Sequence, residues 1–594
     1  MDKISFPAAA LTVFAIFITP LVERITVFER DGKHFLWLVL FVSLAFLYQK
    51  SISVFLKEYH KTVTVIAVLF SLSFTIGGEL HRFLSIDGFF SIYGVFRFAI
   101  CLSGYGVLFY SLITLLYHFI DKTKIIAIKA DKWWFTDNHQ SLFIVWVVIF
   151  LCWLPYLYIF YPGFFSPDSI RQFEMGLGIR EFSAHHTILH TLIMTFFIRL
   201  GDKAGNLNTG AALYGLTQMI VMSLLFSFVI KYLASRKVHV KIRVLFFIYF
   251  AVYPVNALYS MTGWKDVIFG GLCLLLFILM AELFRNPDDV LSKKSSIFIL
   301  CLVTILFGLF RNNAVYVLVL FTPFFLFFLR KNWKKVVPMA IVVLISITLF
   351  NVISFSIFNV KKTGAEEALS VPLQQIARTV TLHGDDLTPE EITRLSQFFA
   401  VEKLPGLYDP HISDPVKWSG FKPSAFHDDT GGFWAIWLSL GCKYPGAYIS
   451  SFLLGSYGYW YPNVNEGIYT LWVYPEETLP SLRAQHRFPL RSGLLFVLID
   501  GFARNLPVLS MLSSIGFNVW LIILSAGYLI IIKQKKMLVP LLIPALVWFT
   551  TLASPVYAEY RYVYGVILSA PVILVLMILE KNAIISNKNE KEKI

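Results

Sequence analysis

The stretch SIFILCLVTILFGLFRNNAVYVLVLFTPFFLFFLRKNWKK, residues 296–335, decides the fold class. Two apolar runs are parted by Arg311, Asn312 and Asn313, and the second stops at Arg330, Lys331, Lys334 and Lys335. Such runs suit a hydrocarbon core roughly 30 Å thick, where only helices satisfy every backbone N–H and C=O from within. The pattern recurs along all 594 residues, 57% of them hydrophobic and only 15% charged, with a mean hydropathy of +0.68. A soluble domain of ordinary composition carries about 25% charged residues, so a large soluble protein with a greasy core is set aside. The net charge of +14 forms no single basic face; its lysines and arginines sit in short loops between apolar runs. That is the distribution of orientation signals, and it argues against a nucleic-acid partner.

Working outward, spans are expected near 6–22, 35–50, 62–78, 96–119 and 141–161. Others follow near 211–230, 242–258, 267–284, 296–310, 314–329 and 336–356, then near 511–532, 538–554 and 561–579. With the N-terminus inside, every strongly basic loop falls on the cytoplasmic side, from Lys50, Lys57 and Lys61 to Lys533, Lys535 and Lys536. The agreement requires that His186 to Leu200 not cross; the stretch is short, contains His190, and reads as a helix along the outer interface. Residues 492–510, interrupted by Asp500 and Arg504, read the same way.

The expected architecture is an all-α polytopic membrane protein of about fourteen transmembrane helices, with both termini cytoplasmic. A four-helix membrane region (1–130) precedes a core (131–356) whose first outer loop is 162–210. An α-rich extracytoplasmic domain (357–510), the C-terminal membrane helices (511–580) and a basic tail (581–594) complete the chain. Within the outer domain, Thr388-Pro389-Glu390-Glu391 fits a helix start with Thr388 as cap and Glu391 closing a capping box. Cys101, Cys152, Cys273 and Cys301 lie in apolar runs and only Cys442 outside them, which leaves no disulfide framework and no CxxC metal spacing. The chain has no Asn-x-Ser/Thr sequon, which favours a bacterial plasma membrane.

On this map the unusual polar residues gather at the outer face. Asp168 lies in Tyr161-Pro-Gly-Phe-Phe-Ser-Pro-Asp-Ser169, followed by His185, His186 and His190. Lys265 and Asp266 occupy one outer turn, Arg311 another, and Glu559 and Arg561 the last. Blander readings stand beside the functional one. Ser166-Pro167-Asp168 is a good helix start, where an acidic residue favours the dipole. His186 and His190 share a helix face at metal-ligand spacing but have no third ligand in view, and read more readily as interfacial histidines. Lys265 has Asp266 or Glu559 as salt-bridge partners. Taken together, one carboxylate and several cations suit a substrate with a phosphate leaving group: a base for the attacking hydroxyl, and cations for the departing charge. Trp434, Trp437, Tyr457, Tyr459, Trp460 and Tyr461 are candidates for stacking on sugar rings, or form an interfacial belt.

At these residues the chain resembles the GT-C superfamily of membrane glycosyltransferases. Asp168 in Pro-Asp-Ser matches the acidic residue of the first long outer loop in that superfamily. His185-His-Thr-Ile-Leu-His190 is similar to its His-Pro-rich segment, without the proline, and Glu559-Tyr-Arg-Tyr562 to its late Glu-x-Arg-Tyr pattern. Leu369-Ser-Val-Pro-Leu-Gln-Gln-Ile-Ala-Arg378 and Ile412-Ser-Asp-Pro-Val-Lys417 resemble segments of a family of large Gram-positive membrane proteins. The resemblance spans roughly residues 140–580. It implies transfer of a sugar from a polyprenyl-phosphate donor to a cell-wall polymer or lipid acceptor, with inversion. Asp168 would be the catalytic base, and Lys265, Arg311 and Arg561 would hold the phosphate. His185, His186, His190, Asp266, Glu559, Tyr560 and Arg378 would contact substrate. No nucleotide-binding fingerprint appears; a divalent cation is compatible with this reading, though no metal ligands are assigned. The rival readings are a transporter or lipid flippase, which would show internal repeats and midplane charges, and a non-catalytic envelope assembly protein. Charge at span ends, with Arg97 and Glu282 snorkelling, favours surface chemistry.

Overall fold

In a computed structural model the chain is described over residues 5–18, 34–55, 61–126, 136–464, 479, 482 and 509–591, and these residues are helical with no β-strand among them. The helices are α1 (Ser5–Ile18), α2 (His34–Phe55), α3 (Lys61–Phe83), α4 (Ile92–Lys122), α5 (His139–Ile159), α6 (Pro167–Leu177), α7 (Ile188–Lys203) and α8 (Leu207–Ser235). They continue with α9 (Val240–Val252), α10 (Pro254–Ser260), α11 (Lys265–Arg285), α12 (Pro287–Ser292), α13 (Lys294–Phe310), α14 (Ala314–Phe328) and α15 (Trp333–Ile357). Nine helices among the described residues are long and apolar enough to cross a membrane, or ten if the bent pair α9–α10 counts as one. Four shorter apolar helices, Ser5–Ile16, Lys294–Phe310, Ala314–Phe328 and Ile515–Ile531, occupy the other expected spans. The chain is thus an all-helical, multi-pass membrane protein. Residues 492–508 of the expected helix at 492–510 lie outside the described residues.

Burial orders the bundle. The apolar windows of α11 and of Tyr560–Asn582 are 78% buried, whereas those of α5 and α15 are 17% and 22% buried. Rim helices turn large apolar side chains such as Phe143, Leu151, Ile345 and Val352 outward, the inverse of a water-facing helix. The basic loops meet at one end. There the backbone N–H of His239 donates to the Ile125 carbonyl (2.7 Å), Arg285 Nε to Glu580 (2.7 Å) and Lys335 Nζ to the Leu291 carbonyl (2.7 Å). Glu282 is held by Tyr232 and Arg285, and Arg97 by Glu79, so neither expected snorkelling side chain is without a partner.

The break between α9 and α10 bends the pair by 50°. Pro254 has no N–H to offer, and the carbonyl of Phe250 accepts instead from the buried indole of Trp153 (3.1 Å). The Asn256 amide donates to the Tyr249 carbonyl (2.9 Å) and accepts from Tyr564 (2.9 Å), tying the break to the last helix. Residues 365–456 form a helical unit with its own apolar core, including Leu373, Ile376, Phe398 and Phe433. The capping box forms there as expected, with Thr388 Oγ1 accepting from the Glu391 N–H (3.3 Å) and Glu391 from the Thr388 N–H (2.8 Å).

Candidate functional site

The end of the bundle opposite the basic loops is built around one close approach. The loop before α6 runs beside the turn before α11: Phe164 N–H donates to the Met261 carbonyl (3.3 Å) and Gly263 N–H to the Phe164 carbonyl (2.9 Å). Ser169 Oγ donates to the Gly263 carbonyl (2.9 Å) and Trp264 Nε1 to Ser166 Oγ (3.0 Å). Two glycines permit this contact. Gly163 has φ +124°, where a side chain is strained, and a Cβ on it would sit 2.6 Å from the Met261 carbonyl oxygen. A Cβ on Gly263 would sit 2.7 Å from that of Ser169. Ser166 holds the N-cap position of α6, with its hydroxyl taken by Trp264 instead of a helix N–H, and Pro167 opens the helix, so Asp168 stands in the first turn with the helix dipole in its favour.

Arg561 reaches Asp168 from the far end of the sequence. Its Nη1 lies 3.2 Å from Asp168 Oδ2 and its Nε 3.3 Å from Glu559, with Trp264 and Tyr562 under the guanidinium at 5.1 and 5.0 Å. Arg311 donates to the Tyr562 carbonyl (2.7 Å), faces Asp266 at 3.5 Å and packs over the Tyr562 ring at 4.8 Å. Tyr562 therefore spaces two guanidiniums. Lys265 has no ion pair among the described residues; Asp266 is turned to Arg311 and Glu559 to Arg561, so neither expected Lys265 bridge forms. Asp168 keeps 28% of its side chain exposed. Burial alone would raise its pKa; the charges of Arg561 and Lys265 outweigh it and hold the carboxyl well below the usual carboxylate range.

The histidines divide. Thr187 precedes the first residue of α7, so His186 lies outside the helix and does not share a face with His190. His190 is fully buried, with Nδ1 2.7 Å from Gln172 and Nε2 2.8 Å from Tyr214. Burial first, then Lys265, presses its pKa down to about 3, and it stays neutral as a packing residue. Through Tyr214 the network continues to Gln218, whose amide faces the carbonyls of Tyr259, Ser260 and Thr262 at 3.3, 3.1 and 2.8 Å. This polar chain sets the position of the turn that carries Lys265. His185 and His186 stay on the loop, clamped by Asn312 Nδ2 to the Ala184 carbonyl (2.9 Å) and by Ala184 N–H to the Lys361 carbonyl (2.8 Å). His185 Nδ1 lies 3.4 Å from Glu367, which also pairs with Lys417 at 3.1 Å. The hydrogen bond to His185 and the charge of Lys417, working against burial, bring Glu367 down to about 2.

Two expected substrate contacts point elsewhere. Tyr560 packs among Tyr259 and Tyr564 in the core, because the tight turn at Tyr560–Val563 sends it inward while Arg561 and Tyr562 face the site. Arg378 is buried in the 365–456 unit against Ser450 (2.7 Å) and Tyr408 (3.1 Å), and none of its partners belongs to the Asp168 cluster. Of the six aromatics considered for sugar stacking, Tyr457, Tyr459 and Tyr461 are buried and Trp437 donates to Gln375, leaving Trp434 the most exposed at 39%. Sequence reasoning missed Trp264, Tyr562 and Glu367 as members of the site.

Residues 177–591 match the protein family described as a family of unknown function, DUF6020. No curated protein and no solved structure matches the chain.

Proposed function

The chain belongs to this family of unknown function, and we propose that it is a GT-C-type membrane glycosyltransferase acting on a polyprenyl-phosphate sugar at the outer face of a plasma membrane. In this reading all fourteen apolar helices or bent pairs cross, the basic loops are cytoplasmic and the Asp168 end is extracytoplasmic. The observation that carries it is the meeting of Asp168 with Arg561 across 393 residues, beside Lys265 and Arg311. A carboxylate and three cations collected from four chain segments at one bundle end suit phosphate departure coupled to proton removal.

In the resting site Asp168 is a poor base, since its proton affinity is suppressed by Arg561 and Lys265. A donor phosphate placed on those cations competes for them and restores basicity to the carboxylate as the donor is seated. The acceptor oxygen then attacks the anomeric carbon while Asp168 takes the hydroxyl proton. The carbon–oxygen bond to phosphate breaks, and its electron pair leaves with the lipid phosphate, which the cations hold. One displacement inverts the anomeric centre.

The test is transfer of label from a panel of polyprenyl-phosphate sugars to envelope lipids and polymers, comparing wild type with Asp168→Asn. Transfer by wild type and loss of at least about 100-fold in a folded variant is the expected result; equal transfer by both removes Asp168 from the role of base. The transporter reading draws on the bent α9–α10 pair, since broken helices frame many transport sites. Here the groups freed at the break are taken up by Trp153 and Asn256, which favours a structural bend.

A further inference from the structure

Asp168, His185 and His186 each bring one potential ligand atom toward a common point, with the three atoms within 4.8 Å of one another. His186 is 1% exposed, and neither of its ring nitrogens has a hydrogen-bond partner among the described residues. Folded proteins rarely leave a buried polar group so, and a missing partner is a reason to look for a ligand.

His185 adds an independent feature. Its Nδ1 faces Glu367 at 3.4 Å, and Glu367 is anchored in turn by Lys417. A carboxylate on one imidazole nitrogen fixes the ring so that the other nitrogen presents its lone pair, the usual support of a metal-bound histidine. Asp168 meets Arg561 through Oδ2, which leaves its second oxygen for another bond. Three points 4.8 Å apart share a centre 2.8 Å from each, so an inward shift of about 0.7 Å per ligand would give bonds of roughly 2.1 Å. That is a side-chain adjustment, with the backbone of the loop already clamped.

We infer that Asp168, His185 and His186 form a binding site for one divalent transition-metal ion of the zinc or manganese class, with Glu367 orienting His185. Two nitrogens and one oxygen select such ions over magnesium or calcium, which prefer oxygen throughout. Three protein ligands leave coordination positions open toward Lys265 and Arg561, where water or a phosphate oxygen can complete the shell. The inference stands on these groups alone and holds whether or not the chain transfers sugars.

The experiment uses the full chain in lipid nanodiscs, purified on a tag without histidines, stripped with chelator and titrated with Co²⁺ followed by its visible d–d absorption. Metal bound after reloading with Zn²⁺ is counted by mass spectrometry. Wild type is expected to bind one equivalent. His186→Asn, His185→Gln and Glu367→Gln are each expected to bind about 10-fold more weakly or worse. His427→Gln, which alters an exposed ring outside the cluster, is expected to bind as wild type does. Should His186→Asn not fold, the half-exposed positions His185 and Glu367 carry the decision. Less than one equivalent on wild type, or wild-type affinity in folded His185→Gln and His186→Asn, overturns the inference.

Discussion

If Asp168 and a donor phosphate compete for the same guanidinium, removing the carboxylate should make the protein bind phosphate better while it loses activity. The substitution is Asp168→Asn, which keeps shape and deletes charge. At 3.2 Å from Arg561 and an effective dielectric of about 20, the direct attraction is about 5 kcal/mol. Water reaches both groups, at 28% and 15% exposure, and Glu559 stays 3.3 Å from Arg561 in the variant. The net gain should therefore fall between the ranges for surface and buried pairs, about 1–2 kcal/mol, or roughly 5–30-fold in affinity. The assay is equilibrium binding of labelled polyprenyl phosphate, without sugar, to protein in nanodiscs with chelator present, so that no metal enters the comparison. Arg561→Gln should weaken binding, and Asp168→Asn should then add little on top of it, because the two share one interaction. The sign with pH follows from the depressed carboxyl pKa. The free carboxyl is held well below the usual range and a competing phosphate raises it, so wild type takes up a proton on binding once pH falls below the bound-state carboxyl pKa; the difference between variant and wild type is full near neutral pH and narrows as pH falls through the carboxylate range. Binding by Asp168→Asn that equals or falls below wild type would refute the competition.

Three further outcomes are expected. Gly263→Ala places a methyl 2.6 Å from Ser169 Oγ and 2.7 Å from its Cβ, so thermal unfolding should show a loss of about 1–3 kcal/mol, partly restored by Ser169→Gly. His190→Ala removes one partner each from Gln172 and Tyr214, which keep Thr191 and Gln218, and opens a cavity in the core, so it should cost about 2–4 kcal/mol; Co²⁺ binding measured on the folded fraction should be unchanged, since His190 is no part of the metal cluster. Glu367, lowered from 4.5 to about 2, contributes stability that is complete above pH 4.5 and lost as pH falls through about 2. Unfolding followed between those values should show an acid limb of about 1–2 kcal/mol that Glu367→Gln flattens.

The helices were legible because lipid allows one solution for an apolar run of that length, so hydropathy alone locates each expected span on a helix. Lys265 and Arg311 were legible for a related reason, since a cation kept on the outer side against the orientation bias stands out in a greasy sequence, whereas Asp168 and Arg561 stood out through their resemblance to superfamily motifs. What stayed hidden depends on contacts between distant segments. Glu367 lies 182 positions beyond His185, and no periodicity links them. The spacing of His186 and His190 suggested one helix face, but α7 begins only at Ile188, so four positions span a loop residue and a core residue. Tyr560 and Tyr562 are equivalent in composition; the turn that joins them to the last helix decides which one faces the cations. Arg378 matched a family segment and proved to be a strut inside the 365–456 unit that also reaches the Leu84 carbonyl at 3.5 Å, away from the Asp168 cluster.

The 393 residues between Asp168 and Arg561 also have a meaning in time. At about 5–20 residues per second of synthesis, roughly 20–80 s pass between the emergence of the carboxylate and that of its partner. Once Lys265 has followed, 97 residues behind Asp168, the growing chain carries both with the histidine loop but without the guanidinium that completes the site. Under the proposed function, a ribosome-bound fragment ending before Arg561 is an incomplete receptor, and competence to hold a lipid-linked phosphate would report that this last segment has joined the site.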